Sequence, residues 1–155
     1  MSLYYFGNCR TEDQRAEMER LDRAGVCLFC PDVIRAHDRQ QILWETPHWI
    51  VTPNEFPYTG ARLHLLLIPK DHVTDLVDLT APARADFFDA LASVREKYAL
   101  DHYGLGVRNG DCRYTGGTIR HLHVHVLVGE GDEQPDAQGE FRPVRMKFSS
   151  RPTPA

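Results

Sequence analysis

The sequence has no long hydrophobic run and little net charge. No apolar stretch in its 155 residues approaches the roughly 18 residues of a membrane span, so no membrane partner is expected. A net charge of −4 gives no general attraction to nucleic acid or to anionic lipid. The N-terminus, MSLYYFGNCR, lacks a basic segment followed by an apolar signal core, which favours a cytoplasmic location. Any anionic ligand must therefore be held by a local site.

Cysteine is scarce too, with four residues in the chain. In the cytoplasm these residues are expected as thiols or metal ligands rather than disulfides. The chain is long enough to bury a core without covalent cross-links, and 42% of its residues are hydrophobic. Because no internal repeat is visible, we predict one domain over residues 1–155.

The predicted elements indicate an α+β domain with about five strands in a mainly antiparallel sheet and two main helices. Thr11 and Thr80 are candidate N-caps of the two helices, and Pro82 lies in the first turn of the second. An apolar stripe of Phe87, Phe88, Leu91 and Val94 predicts the buried side of that helix. The helices are predicted over 11–25 and 80–98, and the strands over 42–45, 49–52, 62–70, 103–109 and 119–128. The segment Gly131–Ala155 is predicted to be irregular.

Three histidines alternate with apolar residues in RHLHVHVLVG, the segment from Arg120 to Gly129. Side chains alternate across a strand, so His121, His123 and His125 are predicted to share one face. Three imidazoles in register are costly in a purely structural role, because each ring carries polar atoms that need partners. This pattern therefore favours a chemical role over a solvated polar face.

A glycine pair precedes the histidines in TGGT, residues 115–118. Glycines let backbone N–H groups turn inward and form an anion-binding concavity, to which Thr118 adds a hydroxyl. A phosphate held there would lie beside the imidazoles. A second cluster, CLFC, gives Cys27 and Cys30 the spacing of metal ligands, although a CxxC pair is equally compatible with a redox function. His72 and His121 are the candidates for completing a metal site.

With these features in place, the sequence resembles the histidine-triad family, whose signature is His-x-His-x-His followed by apolar residues. The resemblance extends over CLFC, PNEFPYTG, HLLLIPKDH, the DLT-then-helix segment and RNG…GGTIRHLHVHV. It covers a core of about residues 27–129, with an N-terminal helical part over 1–26 and a tail over 130–155. It implies a five-stranded antiparallel sheet, a homodimer, and binding of nucleotides with action at the α-phosphate.

The resemblance also implies roles for the triad. His123 corresponds to the nucleophile that forms a nucleotidyl-histidine, which water or phosphate then resolves. His125 corresponds to the residue that contacts the phosphate and helps handle the leaving-group proton. His121 corresponds to the residue that orients the nucleophile or, in zinc-bearing members, binds the metal.

Further positions match the ligand-binding residues of the family. Asn54 lies near the ribose-binding position, although the loop from Asn54 to His64 is about two residues longer than in common members. The residues that resemble phosphate contacts are Asn109, Gly116, Gly117 and Thr118. The zinc-bearing members imply a structural Zn²⁺ held by Cys27, Cys30, His72 and His121.

Three classes of function remain open at this point. The leading one is a nucleotidyl hydrolase or transferase acting on dinucleoside polyphosphates, nucleoside phosphoramidates or similar adenylylated compounds, with adenine the favoured base. A second is a nucleotide-binding sensor without useful turnover. A third is a metalloenzyme of cupin type with His-x-His metal ligands, which is disfavoured because no histidine follows His125.

Overall fold

The computed structural model describes residues 2–131 and 135–149 of the chain. Five antiparallel strands form one sheet in the order β1-β2-β3-β5-β4, which confirms the predicted fold class. The strands are β1 (Trp44–Glu45), β2 (Trp49–Pro53), β3 (Ala61–Pro69), β4 (Gly104–Val107) and β5 (Val124–Gly129). The helices are α1 (Glu12–Arg23), α2 (Pro31–Ala36), α3 (Ala81–Tyr98) and α4 (Cys112–Thr115). None of the described helices has the length and hydropathy of a membrane span.

The two long helices begin at capped residues. The Thr11 hydroxyl accepts a hydrogen bond from Gln14 N at 3.0 Å, and the Thr80 hydroxyl accepts one from Ala83 N at 3.3 Å. These bonds satisfy N–H groups that the helix itself leaves without acceptors. Local sequence thus determines where both helices start.

Alternation along β3 separates the two faces of the sheet. Leu65 and Leu67 pack in the core cluster under α3, whereas Leu66 and Ile68 pack in a second cluster on the opposite face. Because side chains of a strand point alternately to its two faces, a continuous apolar run serves both clusters at once. The second cluster is covered by α1 and by the CLFC segment, through residues such as Met18 and Leu28.

The helical parts of the structure depart from the sequence-based expectations. Phe88 is 68% exposed, so its place in the buried stripe was wrong; consecutive residues of a helix point about 100° apart, and Phe87 takes the inward position against Trp49. The loop predicted around residue 112 contains α4, which Asp111 caps at Arg113 N. Similarly, α2 follows CLFC directly, with Pro31 in its first turn.

The last strand is also shorter than predicted. His121 and His123 lie before β5 and outside any strand, with a bend at His121, and the neighbouring backbone bonds to other segments. Arg120 N donates to Leu3 O at 2.8 Å, and Leu122 N donates to Val73 O at 2.7 Å. The N-terminal segment therefore pairs with the residues just before the triad, and the segment after β3 pairs with Leu122 inside it.

The predicted C-terminal tail lies across the same face as the triad. Between residues 135 and 149 the chain has no helix or strand, in line with the irregular structure expected there. Its backbone approaches two glycines closely, since a Cβ at Gly60 or Gly116 would collide with Arg142 O or Lys147 O. The remainder of the predicted tail, 132–134 and 150–155, lies outside the described residues.

Candidate functional site

A cavity of about 900 Å³ opens on the face of the sheet opposite α3. It is lined by His123 and His125, by the glycine pair that precedes them, and by both terminal segments of the described chain. One part of its wall is apolar and another is cationic. The apolar residues are Met18, Leu28, Phe29, Leu66 and Ile119; the cationic residues are Arg10, Arg108, Arg145 and Lys147.

His123 is held with one ring nitrogen free. Its Nδ1 lies 2.7 Å from His121 O, and because a carbonyl only accepts, Nδ1 carries the proton and donates. Nε2 is then the nitrogen with an available lone pair. The Phe29 ring packs edge-on against the imidazole at 5.1 Å between centroids. Burial lowers the pKa of His123 to about 4, so the ring is neutral at pH 7.

His125 lies in a line of contacts that includes a fourth histidine. Its Nδ1 is 2.8 Å from Nε2 of His64 on β3, and its Nε2 is 3.1 Å from an Nη1 of Arg108. The Tyr58 ring stacks on His125 at an interplanar angle of 20°. Burial, followed by the neighbouring imidazoles and Arg108, holds the pKa of His125 well below its ordinary value. Burial likewise lowers the pKa of His64 to about 4, so the rings of His64 and His125 are both neutral at pH 7.

The glycine loop forms the floor of the cavity beside the triad. Gly116, Gly117 and Thr118 all line it, and Gly116 adopts a φ of +82° that favours glycine. Asn8 fixes the loop by donating from Nδ2 to Gly117 O at 2.6 Å. Within the described residues, no backbone oxygen accepts from the N–H of Gly117 or Thr118, and these groups are available to an anion.

The two predicted asparagines differ in position. Asn54 lines the cavity, with Nδ2 at 3.1 Å from His64 Nε2 and Oδ1 accepting from Phe56 N. Asn109 is outside the cavity lining, and its Oδ1 accepts from Leu76 N at 2.9 Å. Arg108, one residue earlier, points into the cavity instead. The structure thus brings Asn54 to the cavity beside His64, the neighbour of His125, and leaves Asn109 outside the cavity.

Two buried oxygen atoms on the cavity wall have no hydrogen-bond partner among the described residues. They are Asn8 Oδ1 and Glu55 Oε2. The other oxygen of Glu55 pairs with Arg39 Nε at 3.0 Å. Buried acceptors of this kind are costly unless a ligand supplies N–H or O–H donors.

Cys27, Cys30, His72 and His121 converge at one point, with their ligand atoms all within 4.8 Å of one another. His121 Nδ1 is 3.5 Å from Cys27 Sγ, and His72 Nδ1 is 3.3 Å from Cys30 Sγ. Tetrahedral Zn²⁺, with bonds of about 2.3 Å to sulfur and 2.0 Å to nitrogen, places such atoms about 3.5 Å apart. These four side chains could therefore hold a zinc ion.

The surroundings of this group also suit a metal. His121 Nε2 donates to Pro69 O at 2.8 Å, which leaves the Nδ1 lone pair directed at the thiols. Burial raises the pKa of Cys27 to about 12, so its thiolate forms only when a cation compensates the buried charge. The His121 ring lies outside the large cavity, and its carbonyl is the group that contacts His123.

Several residues of this site were missed at the level of sequence. His64 is a buried polar residue at the start of the apolar run of β3, and its position beside that run could have indicated a role in the site. Tyr58 lies in the lengthened loop before β3, and Arg10 comes from the segment before α1. Nothing local in the sequence indicates that Arg10, Arg108 and Tyr58 meet.

Comparison with known proteins places these features in a family. The model of the HIT domain matches residues 35–132 of the chain. The chain belongs to the HIT family. A HIT-like protein of Chlamydia muridarum is 31% identical over 93 residues, covering 56% of this chain and 69% of that protein.

Solved structures of HIT proteins share the fold. A HIT family hydrolase from Clostridium thermocellum is 28% identical, with a TM-score of 0.55 over 72% of this chain and 96% of its own. A zinc-bound histidine triad protein from Mycobacterium smegmatis is 23% identical, with a TM-score of 0.53 over 71% of this chain and 80% of its own. The predicted family membership is thereby confirmed.

Proposed function

We propose that this HIT protein is a nucleotide hydrolase that acts at the α-phosphate through a covalent nucleotidyl-histidine on His123. The observation that carries the proposal is the position of His123: its Nδ1–H is bound to His121 O, and its Nε2 is free beside the glycine loop and the arginines of the cavity. A neutral imidazole in this arrangement is an available nucleophile. The hydrolase named among the solved relatives supports the same class of reaction.

In the first step, the lone pair of His123 Nε2 forms a bond to phosphorus. The bond from phosphorus to the leaving group breaks, and its electron pair stays on the leaving atom. The ring becomes a cationic phosphoryl-imidazolium, which the Nδ1–H···O=C bond to His121 stabilises. In the second step, water bonds to phosphorus and loses a proton to solvent, and the electron pair of the P–N bond returns to Nε2.

The remaining site residues have supporting roles in this proposal. His125 contacts the transferring phosphate, and the N–H groups of Gly117 and Thr118 bind its oxygens as preorganised donors. The apolar wall around Phe29 accepts the base, with adenine the first base to test. Asn54 binds the ribose. Asn8 Oδ1 and Glu55 Oε2 take hydrogen bonds from nucleotide N–H or O–H groups.

We propose a structural role for zinc at Cys27, Cys30, His72 and His121. When bound, the ion would crosslink the CLFC segment to the backbone that carries the triad. The proposal rests on the ligand distances and on the Pro69 contact that orients His121. His121 therefore acts on catalysis through its carbonyl, while its ring is committed to the metal.

We also propose a homodimer. Leu105 on the edge strand β4 is 47% exposed, and Phe88 on α3 is 68% exposed. Apolar side chains at a sheet edge and on a helix are suited to pairing with a second copy. A single HIT domain over residues 1–155, with its core at 27–129, would form each protomer.

Trapping the adduct tests the proposed reaction. The protein is mixed with diadenosine triphosphate, quenched in alkaline denaturant within one turnover and digested for mass spectrometry. We expect an adenylyl group on His123 and a fall in turnover of about 10⁴-fold in His123→Ala. His102→Ala, at an exposed histidine, is the matched control and should behave as the parent. Nucleotide binding without adduct or turnover would instead identify a sensor.

A further inference from the structure

Arg108 carries a positive charge without an acidic partner among the described residues. Its Nε–H donates to Thr115 O at 2.7 Å, its Nη1 to Tyr58 Oη at 2.8 Å, and its Nη2 to Lys147 O at 2.9 Å. None of the ion pairs in this part of the chain includes it. A guanidinium held on a cavity wall by neutral groups keeps an uncompensated positive charge that is suited to attracting an anion.

The hydrogen bonds around His64 and His125 cannot all be satisfied at once. Tyr58 N donates to His64 Nδ1 at 3.0 Å and Asn54 Nδ2 donates toward His64 Nε2 at 3.1 Å, so neutral His64 has a donor facing each ring nitrogen. Arg108 donates to His125 Nε2, so the proton of neutral His125 must be on Nδ1. His64 Nε2 and His125 Nδ1 face each other at 2.8 Å, and only one proton fits between them.

The donors of Arg108 and Asn54 belong to side chains that line the cavity and that a bound ligand can displace, whereas Tyr58 N belongs to the backbone. Once these side chains donate to a ligand instead, His125 can carry its proton on Nε2 and accept from His64 Nε2–H on Nδ1. The Nε2–H of His125 then points toward the ligand beside Arg108.

A second guanidinium lies beside the first. Arg10 and Arg108 lie 4.9 Å and 5.9 Å from the centroid of the Tyr58 ring. Arg10 donates to carbonyls of Phe56 and Pro57 and, like Arg108, has no ion pair in the described chain. Burial, and to a smaller degree the charge of Arg108, lowers the pKa of Arg10. With the base against the apolar wall, the rest of a nucleotide extends from His123 toward these cations.

We propose that Arg108 selects substrates whose leaving group is a phosphate chain, because a phosphate that binds this guanidinium frees His125 Nε2–H for the leaving oxygen. The inference rests on the proposed function and names the leaving group that the same site prefers. Arg108 is thus a specificity-determining residue, and Arg10 supports it by binding the same anion.

The charges balance without transfer of a proton. His123 Nε2 forms the P–N bond, the P–O bond breaks, and its electron pair stays on the leaving phosphate. Since a phosphate has a second pKa of about 6, that oxygen needs only the hydrogen bond from His125 and the charge of Arg108. An amine leaving group would need a full proton, which neutral His125 is poorly suited to give.

Two substrates with the same α-phosphate test this selection. Diadenosine triphosphate releases ADP, and adenosine 5′-phosphoramidate releases ammonia. For Arg108→Met we expect kcat/KM to fall about 100-fold with the first substrate and no more than about threefold with the second. Arg108→Lys should recover part of the first rate because it keeps the charge. Arg113→Met, at an exposed arginine of α4, is the matched control.

Nitrogen-15 NMR of the histidines gives a readout that does not depend on turnover. In the parent protein, adding inorganic pyrophosphate should move the His125 proton from Nδ1 to Nε2. In Arg108→Met, or in Arg108→Lys if the methionine variant fails to fold, the response to pyrophosphate should be weakened or lost. If the nitrogen-15 signals of His125 in the parent protein do not change when pyrophosphate is added, the proposal is overturned.

The outcomes also separate this inference from the proposed function. Equal losses on both substrates in Arg108→Met, with a normal His123 adduct, would overturn the role of Arg108 and leave the nucleotidyl-histidine intact. Absence of an adduct with either substrate in the parent would overturn the proposed function itself.

Discussion

The two faces of the sheet differ in what they bury. Under α3, aliphatic and aromatic side chains such as Trp49, Leu67 and Val126 pack with no exposed surface. On the opposite face, the sheet carries His64 and His125 and borders a cavity of about 900 Å³. One face is closed by a single helix, whereas the other is closed by α1, the CLFC segment and the C-terminal segment.

The residues of the candidate site and the residues that stabilise the core are neighbours along the chain but lie on opposite faces of the sheet. Along LHVHV, residues 122–126, each site histidine stands between two core residues, since Leu122, Val124 and Val126 all pack under α3. The core thereby fixes the backbone that positions His123 and His125. The buried polar side chains of the sheet itself, Thr52, His64 and His125, lie on the side that binds ligand. On the other side, the buried carboxylate of Asp86 on α3 accepts hydrogen bonds from Thr46 and His48.

The largest expected effect on stability comes from the α3 face. Leu67→Ala should lower the free energy of unfolding by about 2–5 kcal/mol, because it leaves a cavity in a core where Leu67 has no exposed surface. Activity per folded molecule should change less than twofold, since Leu67 faces away from the site. Chemical denaturation and steady-state kinetics measure the two quantities.

Leu76→Ala is the matched control, because Leu76 is 37% exposed and should cost less than about 1 kcal/mol. A fall in kcat of more than twofold per folded molecule in Leu67→Ala would show that the two faces are coupled, and it would contradict the separation of core and site.

Removal of the proposed zinc should have an intermediate effect. Cys27→Ser is expected to abolish stoichiometric zinc and to lower the free energy of unfolding by about 2–3 kcal/mol, the stabilisation that a tightly bound ion supplies. Metal analysis and thermal melting check this, with Cys9→Ser as the control thiol outside the group. Unchanged melting together with unchanged zinc content would exclude these ligands.

The smallest effect is expected at the end of α3. Ala99 adopts a φ of +49° at the C-cap, a conformation that glycine takes with less strain. Ala99→Gly should raise the free energy of unfolding by about 1 kcal/mol and leave turnover unchanged. Ala92→Gly, within the exposed side of the same helix, should lower it by about the same amount. If both glycine variants, or neither, were more stable than the parent, the positive φ of Ala99 would not explain the result.

Much of the fold could be predicted because its signals are local. Caps at Thr11 and Thr80, the continuous apolar run of β3 and the spacing of Cys27 and Cys30 act over a few residues. The short helices α2 and α4 were missed because one or two turns give no periodicity to detect. The position of Asn109 could not be predicted, since a one-residue change in a loop decides whether Asn109 or Arg108 enters the cavity.

By itself, the sequence determined the chemistry available to this protein: a triad with alternate spacing, a glycine turn before it, and four metal-ligand side chains. Only the tertiary structure decided how these residues are used. It directs the His121 ring to the cysteines and its carbonyl to His123, and it brings Arg10, Tyr58, His64 and Arg108 to His125. The physical reason is that side-chain contacts between residues 17 to 94 positions apart depend on how the sheet pairs and which segments cover it, and no local pattern encodes that.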